Sequence, residues 1–284
     1  MNLNTAYLNG QFMPLSEAKI SPLDRGFLFA DAVYELLIVY EKQPFQLDAH
    51  YRRLQGSLQA IHLANAIEYA TFKSIIAELI QNAPYSNSLV YLQITRGCDS
   101  SRNHFPPKQI SPTVFAFIMP YEEQTIAQRS VGYHAMIEND IRWSRCDIKS
   151  TLLLPNILAL MAGKEKTKDC IEVLLVKDGY LQEGASSAVF IEKADHLYTT
   201  PLTTAVLPSI TRQVVIDIAR LKRIPVHEEP IPIQRLFDAD NLWLASTSKE
   251  ISPVIRLNQK PIADEKPSPL WYTMIESYKT RTRE

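Results

Sequence analysis

The chain has 284 residues, 46% of them apolar and 21% charged, and a formal net charge of −1. That length allows one or two domains with ample chain for a core, and a near-neutral balance without a basic run argues against nucleic acid or an acidic membrane surface as the main partner. No apolar stretch approaches the length of a membrane span, and the opening MNLNTAYLNG lacks the cationic start and apolar centre of a signal peptide. Cys98, Cys146 and Cys170 are odd in number and lack metal-ligand spacing, which suits free thiols in a reducing cytoplasm. The histidines form no HxxxH or HExxH pattern, so no metal site is expected, and no glycine-rich dinucleotide or phosphate-loop fingerprint occurs.

In chain order, Asn9-Gly10 predicts a hairpin turn, and an apolar strand is expected from Ala32 to Tyr40. After a turn near Gln43-Pro44, Asp48 is the expected N-cap of a helix carrying Leu54, Leu58 and Ile61 on one face. A second helix carries Ile75, Ile76, Leu79 and Ile80 and ends at Asn82 and Pro84, and strands are expected at Leu89–Arg96 and Thr113–Met119. Residues 1–120 thus read as a smaller N-terminal lobe, the polar stretch 121–128 as a linker, and 129–284 as a larger C-terminal lobe carrying Lys149. In that second lobe, strands and helices alternate to a closing helix from about Pro269 to Lys279. The alternation is too irregular for a doubly wound parallel sheet, so the expected class is α+β with mixed sheets.

Three short motifs carry candidate chemistry. In RWSRCDIKS (142–150), Lys149 has Trp143, Cys146 and Ile148 as apolar neighbours, while Arg142 and Arg145 bring like charge. Desolvation and like charge both disfavour an ammonium, which is what a Schiff-base lysine needs. In EGASSAVF (183–190), Glu183 is expected on or just after the return strand of a hairpin turned at Asp178-Gly179, followed by small residues that a ligand can approach closely. In LPSITR (207–212), Ser209 and Thr211 open an apolar-periodic helix through Val214, Val215 and Ile218, and a helix start is a ready phosphate site. Lysine for an aldehyde, acid for a pyridinium nitrogen and a helix end for a phosphate are the parts of a pyridoxal phosphate site.

With these pieces in place the chain resembles the fold-type-IV pyridoxal-phosphate aminotransferases, most closely the bacterial D-amino-acid (D-alanine) transaminases. The likeness extends to DRGFLFADAVYELLIVY (24–40), HYRRL (50–54), TRGCDSSRNHFP (95–106) and STSKEISPV (246–254), in the family's order and spacing. It implies a two-lobed enzyme with pyridoxal 5′-phosphate as cofactor, working as a homodimer whose active site is shared between subunits. Lys149 would hold the cofactor and move the substrate proton, and Glu183 would pair with the ring nitrogen. Arg53, the backbone of Ile210 and Thr211 and the hydroxyl of Thr247 would bind the phosphate, with Arg142 nearby. Tyr34, Arg102 and His104 would hold the substrate carboxylate. The implied reaction exchanges an amino group between D-alanine or D-glutamate and pyruvate or 2-oxoglutarate. A branched-chain L-aminotransferase, an aminodeoxychorismate lyase and a non-catalytic cofactor-binding protein are the alternatives. Four positions depart from the family's usual residues: Ala30 and Ala32 for glycines, Ser209 for a glycine and Ala188 for an asparagine. At Ala30 and Ala32 the expected effect is a backbone less free to take positive φ before Tyr34.

Overall fold

The computed structural model describes residues 5–284, which form two compact units: residues up to Glu123 together with Ile148–Leu152, and Gln124–Asp147 together with Leu153–Glu284. The first unit contains β1 (Thr5–Leu8), β2 (Gln11–Pro14), α1 (Arg25–Phe29), β3 (Ala32–Tyr40), β4 (Gln43–Pro44), α2 (Leu47–Ala60), α3 (Tyr69–Asn82), β5 (Ser88–Thr95) and β6 (Thr113–Pro120). Among the described residues its strands form one six-stranded sheet, ordered β2-β1-β6-β5-β3-β4, and every pairing in it is antiparallel. Asn9 and Gly10 both take positive φ in the first hairpin, as a two-residue turn between twisted strands requires.

Side-chain alternation along β3 divides its residues between two faces. Val33, Leu37 and Val39 join Leu54 and Leu58 of α2 and Phe72, Ile75, Ile76 and Leu79 of α3 in the core. Tyr34 points to the other face, where its ring stacks on Tyr91 at 5.5 Å. The expected cap of α2 is corrected: Gln46, at φ 58°, is the capping residue and has no side-chain hydrogen bond to the helix. Asp48 lies inside the first turn and accepts a hydrogen bond from the Tyr69 hydroxyl, while its charge still favours the helix N-terminus. Ile61 falls at the C-cap and packs only partly against the core.

The second unit contains α4 (Ile126–Arg129), β7 (Tyr133–Asn139), α5 (Leu154–Lys166), β8 (Cys170–Lys177), β9 (Tyr180–Gly184), β10 (Ala188–Lys193) and β11 (His196–Thr199). It continues with α6 (Ile210–Leu221), β12 (Val226–Glu228), β13 (Ile231–Pro232), α7 (Ile233–Phe237), β14 (Asn241–Ser246), β15 (Glu250–Leu257), β16 (Lys260–Pro261) and α8 (Pro269–Arg281). Its described strands form a ten-stranded mixed sheet ordered β12-β11-β10-β14-β15-β7-β8-β9-β13, with β16 on β15. The pairs β11–β12, β15–β7 and β7–β8 are parallel, and the rest are antiparallel. The fold is thus α+β with mixed sheets. Glu250 at the start of β15 is wholly buried, with Arg129 Nη2 at 3.3 Å and Lys279 Nζ at 2.6 Å, so α4 and α8 are fastened to the sheet by one carboxylate.

Two features differ from the sequence expectation. The stretch expected as a linker, 121–128, contains the start of α4, where Thr125 and Gln128 cap one another reciprocally. The segment Ile148–Leu152, expected with the C-terminal lobe, belongs to the first unit. Tyr34 N–H donates to the Lys149 carbonyl at 2.9 Å, Thr151 N–H donates to the Ala32 carbonyl at 3.2 Å, and Ile148 enters the core beside Val33. Helix α5 leaves an apolar stripe uncovered in the single chain, with Leu154, Ile157, Leu158 and Met161 exposed at 61, 50, 45 and 55%. Among the described residues no helix is long and apolar enough to cross a membrane.

Replacing Ile148 by Ala is expected to lower unfolding stability by about 2–5 kcal/mol, the range for truncating a buried isoleucine. Urea denaturation of wild type and variant checks it. An unchanged midpoint would mean that this segment does not depend on its core contact.

Candidate active site

Lys149 is positioned through its own backbone groups. Its carbonyl accepts from Tyr34 N–H, its N–H donates to Ser57 Oγ of α2 at 3.1 Å, and Val33 and Ser150 form a β-bridge. The ammonium lies 4.3 Å from the centroid of the Tyr34 ring. Burial pushes the Tyr34 phenol above its ordinary value. The two arginines expected to add positive charge around the lysine carry counter-ions of their own. Arg145 pairs with Asp147 at 2.9 Å, and Arg142 pairs with Asp140 at 2.8 Å and Glu183 at 2.5 Å. Trp143 is 41% exposed, whereas Cys146 and Ile148 are buried.

The opposite face of β3 holds a buried charge cluster. Arg53 of α2 donates through Nε to Glu35 Oε1 at 2.8 Å and through Nη2 to Glu35 Oε2 at 2.7 Å, and His50 Nδ1 lies 2.6 Å from Oε2. Burial alone would raise the carboxyl, but Arg53 and His50 hold Glu35 down at about 2. Burial holds the His50 imidazole below its ordinary value, against the pull of Glu35. The guanidinium of Arg53 is therefore set in a two-bond fork, the geometry that fixes an arginine best.

Arg102 and His104 lie on the exposed loop between β5 and β6, and the Phe29 ring of α1 sits against both, 5.0 Å from the Arg102 guanidinium carbon and 5.5 Å from the His104 ring.

Within the second unit, Glu183 lies on β9, one residue before its end, in the hairpin turned by Asp178 and Gly179, both at positive φ. Its carboxylate receives Arg142 Nη1 and the Leu207 N–H, at 3.2–3.3 Å for the latter. Burial pushes Glu183 up to about 7, with Arg142 and Leu207 opposing it, while against its own burial the hydrogen bond to Asp140, and then the Glu183 charge, hold the Arg142 guanidinium above its ordinary value. At α6, Ser209 is the N-cap and its hydroxyl accepts from Arg212 N–H, at a φ of −69° that has no need of glycine. The amides of Ile210 and Thr211, in the first turn, have no acceptor inside the helix. Thr247 lies in the turn between β14 and β15. Of the other departures, Ala30 does take φ 53° at the end of α1, so alanine adopts the left-handed conformation there, and Ala32 and Ala188 are buried strand residues.

The structure thus brings Tyr34 to Lys149, and Arg142 to Glu183, and it places Arg102 and His104 on one loop. The first unit carries an amine and a forked arginine, and the second carries a buried carboxylate with a fixed cation and the first-turn amides of a helix, all group types that suit pyridoxal phosphate.

Residues absent from the sequence reading also contact these groups. Glu35 interrupts an apolar strand, and a charge at a core-facing position was the available signal. Glu172 of β8 is wholly buried and accepts from Ser186 Oγ at 2.7 Å, Ser187 Oγ at 2.5 Å and Lys249 Nζ at 3.1 Å. It ties the small-residue turn after Glu183 to the turn that carries Thr247, a contact between residues too distant in sequence to suggest it.

The pH dependence of Glu183 has a definite sign. A carboxyl at about 7 in the folded protein and 4.5 unfolded keeps its proton longer when folded. The stability it contributes is full below pH 4.5 and is lost as pH rises through about 7. Thermal unfolding of cofactor-free protein should therefore show wild type losing ground to Glu183→Gln across that window. Parallel profiles would contradict the assignment.

Comparison with known proteins agrees with this chemistry. The family model for amino-transferase class IV matches residues 32–257. The chain is 34% identical to a D-alanine aminotransferase of Bacillus licheniformis, over 92% of this chain and 91% of that one. It is 32% identical to a D-alanine aminotransferase of Staphylococcus aureus, over 96% and 95%. Among solved structures, the branched-chain amino acid aminotransferase of Escherichia coli superposes with a TM-score of 0.87 at 20% identity, covering 97% of this chain and 93% of that one. The branched-chain aminotransferase of the archaeon Thermoproteus uzoniensis, solved with norvaline, gives 0.84 at 21% identity, again covering 97% and 93%. Those two identities carry the fold alone, but the family match and the two D-alanine aminotransferase relatives reach further: this chain is an aminotransferase of class IV.

Proposed function

We propose that the protein is a pyridoxal-phosphate transaminase that exchanges the amino group between D-amino acids (D-alanine, D-glutamate) and 2-oxo acids (pyruvate, 2-oxoglutarate). The observation that carries the substrate class is Arg102 and His104 on one exposed loop. A guanidinium and an imidazole two residues apart make a clamp for a carboxylate, and a loop is where such a clamp can meet a ligand.

Pyridoxal phosphate supplies, when bound, the electron sink that makes the substrate α-hydrogen acidic. The Lys149 amine holds the cofactor and moves the proton at the substrate α-carbon. The Glu183 carboxyl pairs with the ring nitrogen, and Arg142 and the Leu207 amide oppose the burial that raises it and hold it in place. Arg53, the Ile210 and Thr211 amides and the Thr247 hydroxyl bind the phosphate, and the Glu35 fork holds Arg53 ready for it. Tyr34, Arg102 and His104 hold the α-carboxylate, so the enantiomer whose hydrogen then faces Lys149 is the one that reacts.

A second copy of the chain covers the exposed stripe on α5, giving a homodimer whose active site is shared between subunits. Leu154, Ile157, Leu158 and Met161 recur at helical spacing, the pattern of a face that docks. The three unpaired cysteines fit a cytoplasmic enzyme.

Purified protein supplied with pyridoxal phosphate and 2-oxoglutarate should release pyruvate from D-alanine and not from L-alanine. Preferential turnover of the L-enantiomer would overturn the reading in favour of a branched-chain type. Lys149→Ala should abolish turnover, and borohydride should fix the cofactor on a peptide containing Lys149. Label on any other lysine would sink that role. Arg102→Ala should lower kcat/KM for D-alanine by about ten- to a hundredfold, the range for losing a charge-assisted hydrogen bond, while leaving the colour of the bound cofactor unchanged.

A further inference from the structure

Helix α1 is short but tightly fixed. Asp24 caps it by accepting from Gly26 N–H at 2.8 Å, and the same carboxylate accepts from Thr95 Oγ1 at 3.0 Å and Thr113 Oγ1 at 2.7 Å, at the ends of β5 and β6. A Cβ on Gly26 would stand 2.4 Å from Thr95 Cγ2, so only glycine lets the helix seat this closely. Arg25 N–H donates to the Gly97 carbonyl at 2.9 Å, closing the other side of the seat.

From that fixed base, α1 reaches the loop that bears Arg102 and His104 by two routes. The buried guanidinium of Arg25 donates through Nη1 to the Asn103 carbonyl at 2.6 Å and through Nη2 to the His104 carbonyl at 3.1 Å. Its Nε is held by Asp31 at 2.9 Å, which orients the fork. The Phe29 ring meets the Arg102 guanidinium carbon at 5.0 Å and the His104 ring at 5.5 Å, so one aromatic ring contacts both side chains. The loop is otherwise exposed along 101–109, and a long arginine on such a loop has many rotamers to lose. A cation resting on an aromatic face loses fewer of them on binding.

We infer that Phe29 and Arg25 are positioning residues for substrate affinity: Arg25 fixes the backbone of residues 103 and 104, and Phe29 pre-orients the Arg102 and His104 side chains toward a carboxylate. This rests on the carboxylate role given to Arg102 above. Neither residue need touch the substrate, so their loss should appear in KM rather than in kcat.

The test is steady-state kinetics of the holoenzyme with D-alanine and 2-oxoglutarate. Phe29→Leu keeps apolar volume and removes the aromatic face. It should raise KM for both substrates by about three- to tenfold, the range of one cation–π contact, with kcat within about twofold and the cofactor absorbance unchanged. Phe29→Tyr should restore wild-type KM. In the double variant Phe29→Leu with Arg102→Ala, the rise in KM should be smaller than the product of the two single effects, because part of the Phe29 effect runs through Arg102. Phe29→Met, a second removal of the ring, covers the case in which the leucine variant folds poorly. Wild-type KM in both ring-removal variants, with Arg102→Ala impaired, would overturn the inference and leave the role of Arg102 standing. Unchanged KM in Arg102→Ala would overturn that role and this inference with it. An equal fall in kcat and cofactor absorbance would show a merely structural residue and likewise overturn it.

Discussion

The arrangement of the first unit depends on a few backbone hydrogen bonds. Residues 149–151 run antiparallel to the start of β3, with Tyr34 N–H on the Lys149 carbonyl and Thr151 N–H on the Ala32 carbonyl. These bonds fix the lysine in register with Tyr34, and the alternation of β3 then decides everything next to it. Odd residues face the helices, which delivers Glu35 to His50 and Arg53, and even residues face away, which leaves Tyr34 on Tyr91 and beneath the ammonium. A slip of one residue would exchange the two faces, burying the phenol among aliphatic side chains and stranding the carboxylate.

A common electrostatic pattern runs through both units. Several buried glutamates have a cation bound to them: Glu35 has Arg53, Glu183 has Arg142, Glu172 has Lys249, and Glu250 has Arg129 and Lys279. Such pairs contribute little net stability, because desolvation offsets much of the attraction. Their value lies in geometry. A carboxylate or a guanidinium that is to meet a ligand is more useful when a second bond has already chosen its direction. The differing character of Glu35, held at about 2, and Glu183, raised to about 7, follows from this. The first has two strong donors on a single carboxyl, while the second shares its arginine with Asp140.

Much of the fold was legible because its signals are local. The strand Ala32–Tyr40, the hairpin turns at Asn9-Gly10 and Asp178-Gly179, and the helices that carry Ile75 to Ile80 and Val214 to Ile218 are written in periodicity and turn residues. The misreadings are tertiary in origin. Asp48 has the chemistry of a cap, but the chain enters α2 one turn corner earlier, through the positive φ of Gln46, and no residue type announces that. The attachment of Ile148–Leu152 to the first unit rests on pairing with residues more than a hundred positions earlier. Lys149 and Glu183 could be picked out by motif, whereas Lys249 and Arg25 could not. Their bonds go to Glu172 and to the carbonyls of Asn103 and His104, at separations that leave no periodic trace.

The excursion of Ile148–Leu152 also bears on how such a chain can be taken apart. The first unit is not one stretch of sequence, since five of its residues are covalently embedded in the other. A gene fragment ending at Glu123 would encode its strands and helices yet omit Ile148 from its core and Lys149 from beside β3. Exchange of modules between relatives by a single crossover at that boundary would likewise pair one parent's sheet with the other parent's lysine segment. Recombination that respects the structure needs three breakpoints, and the smallest exchangeable piece is the pentapeptide itself.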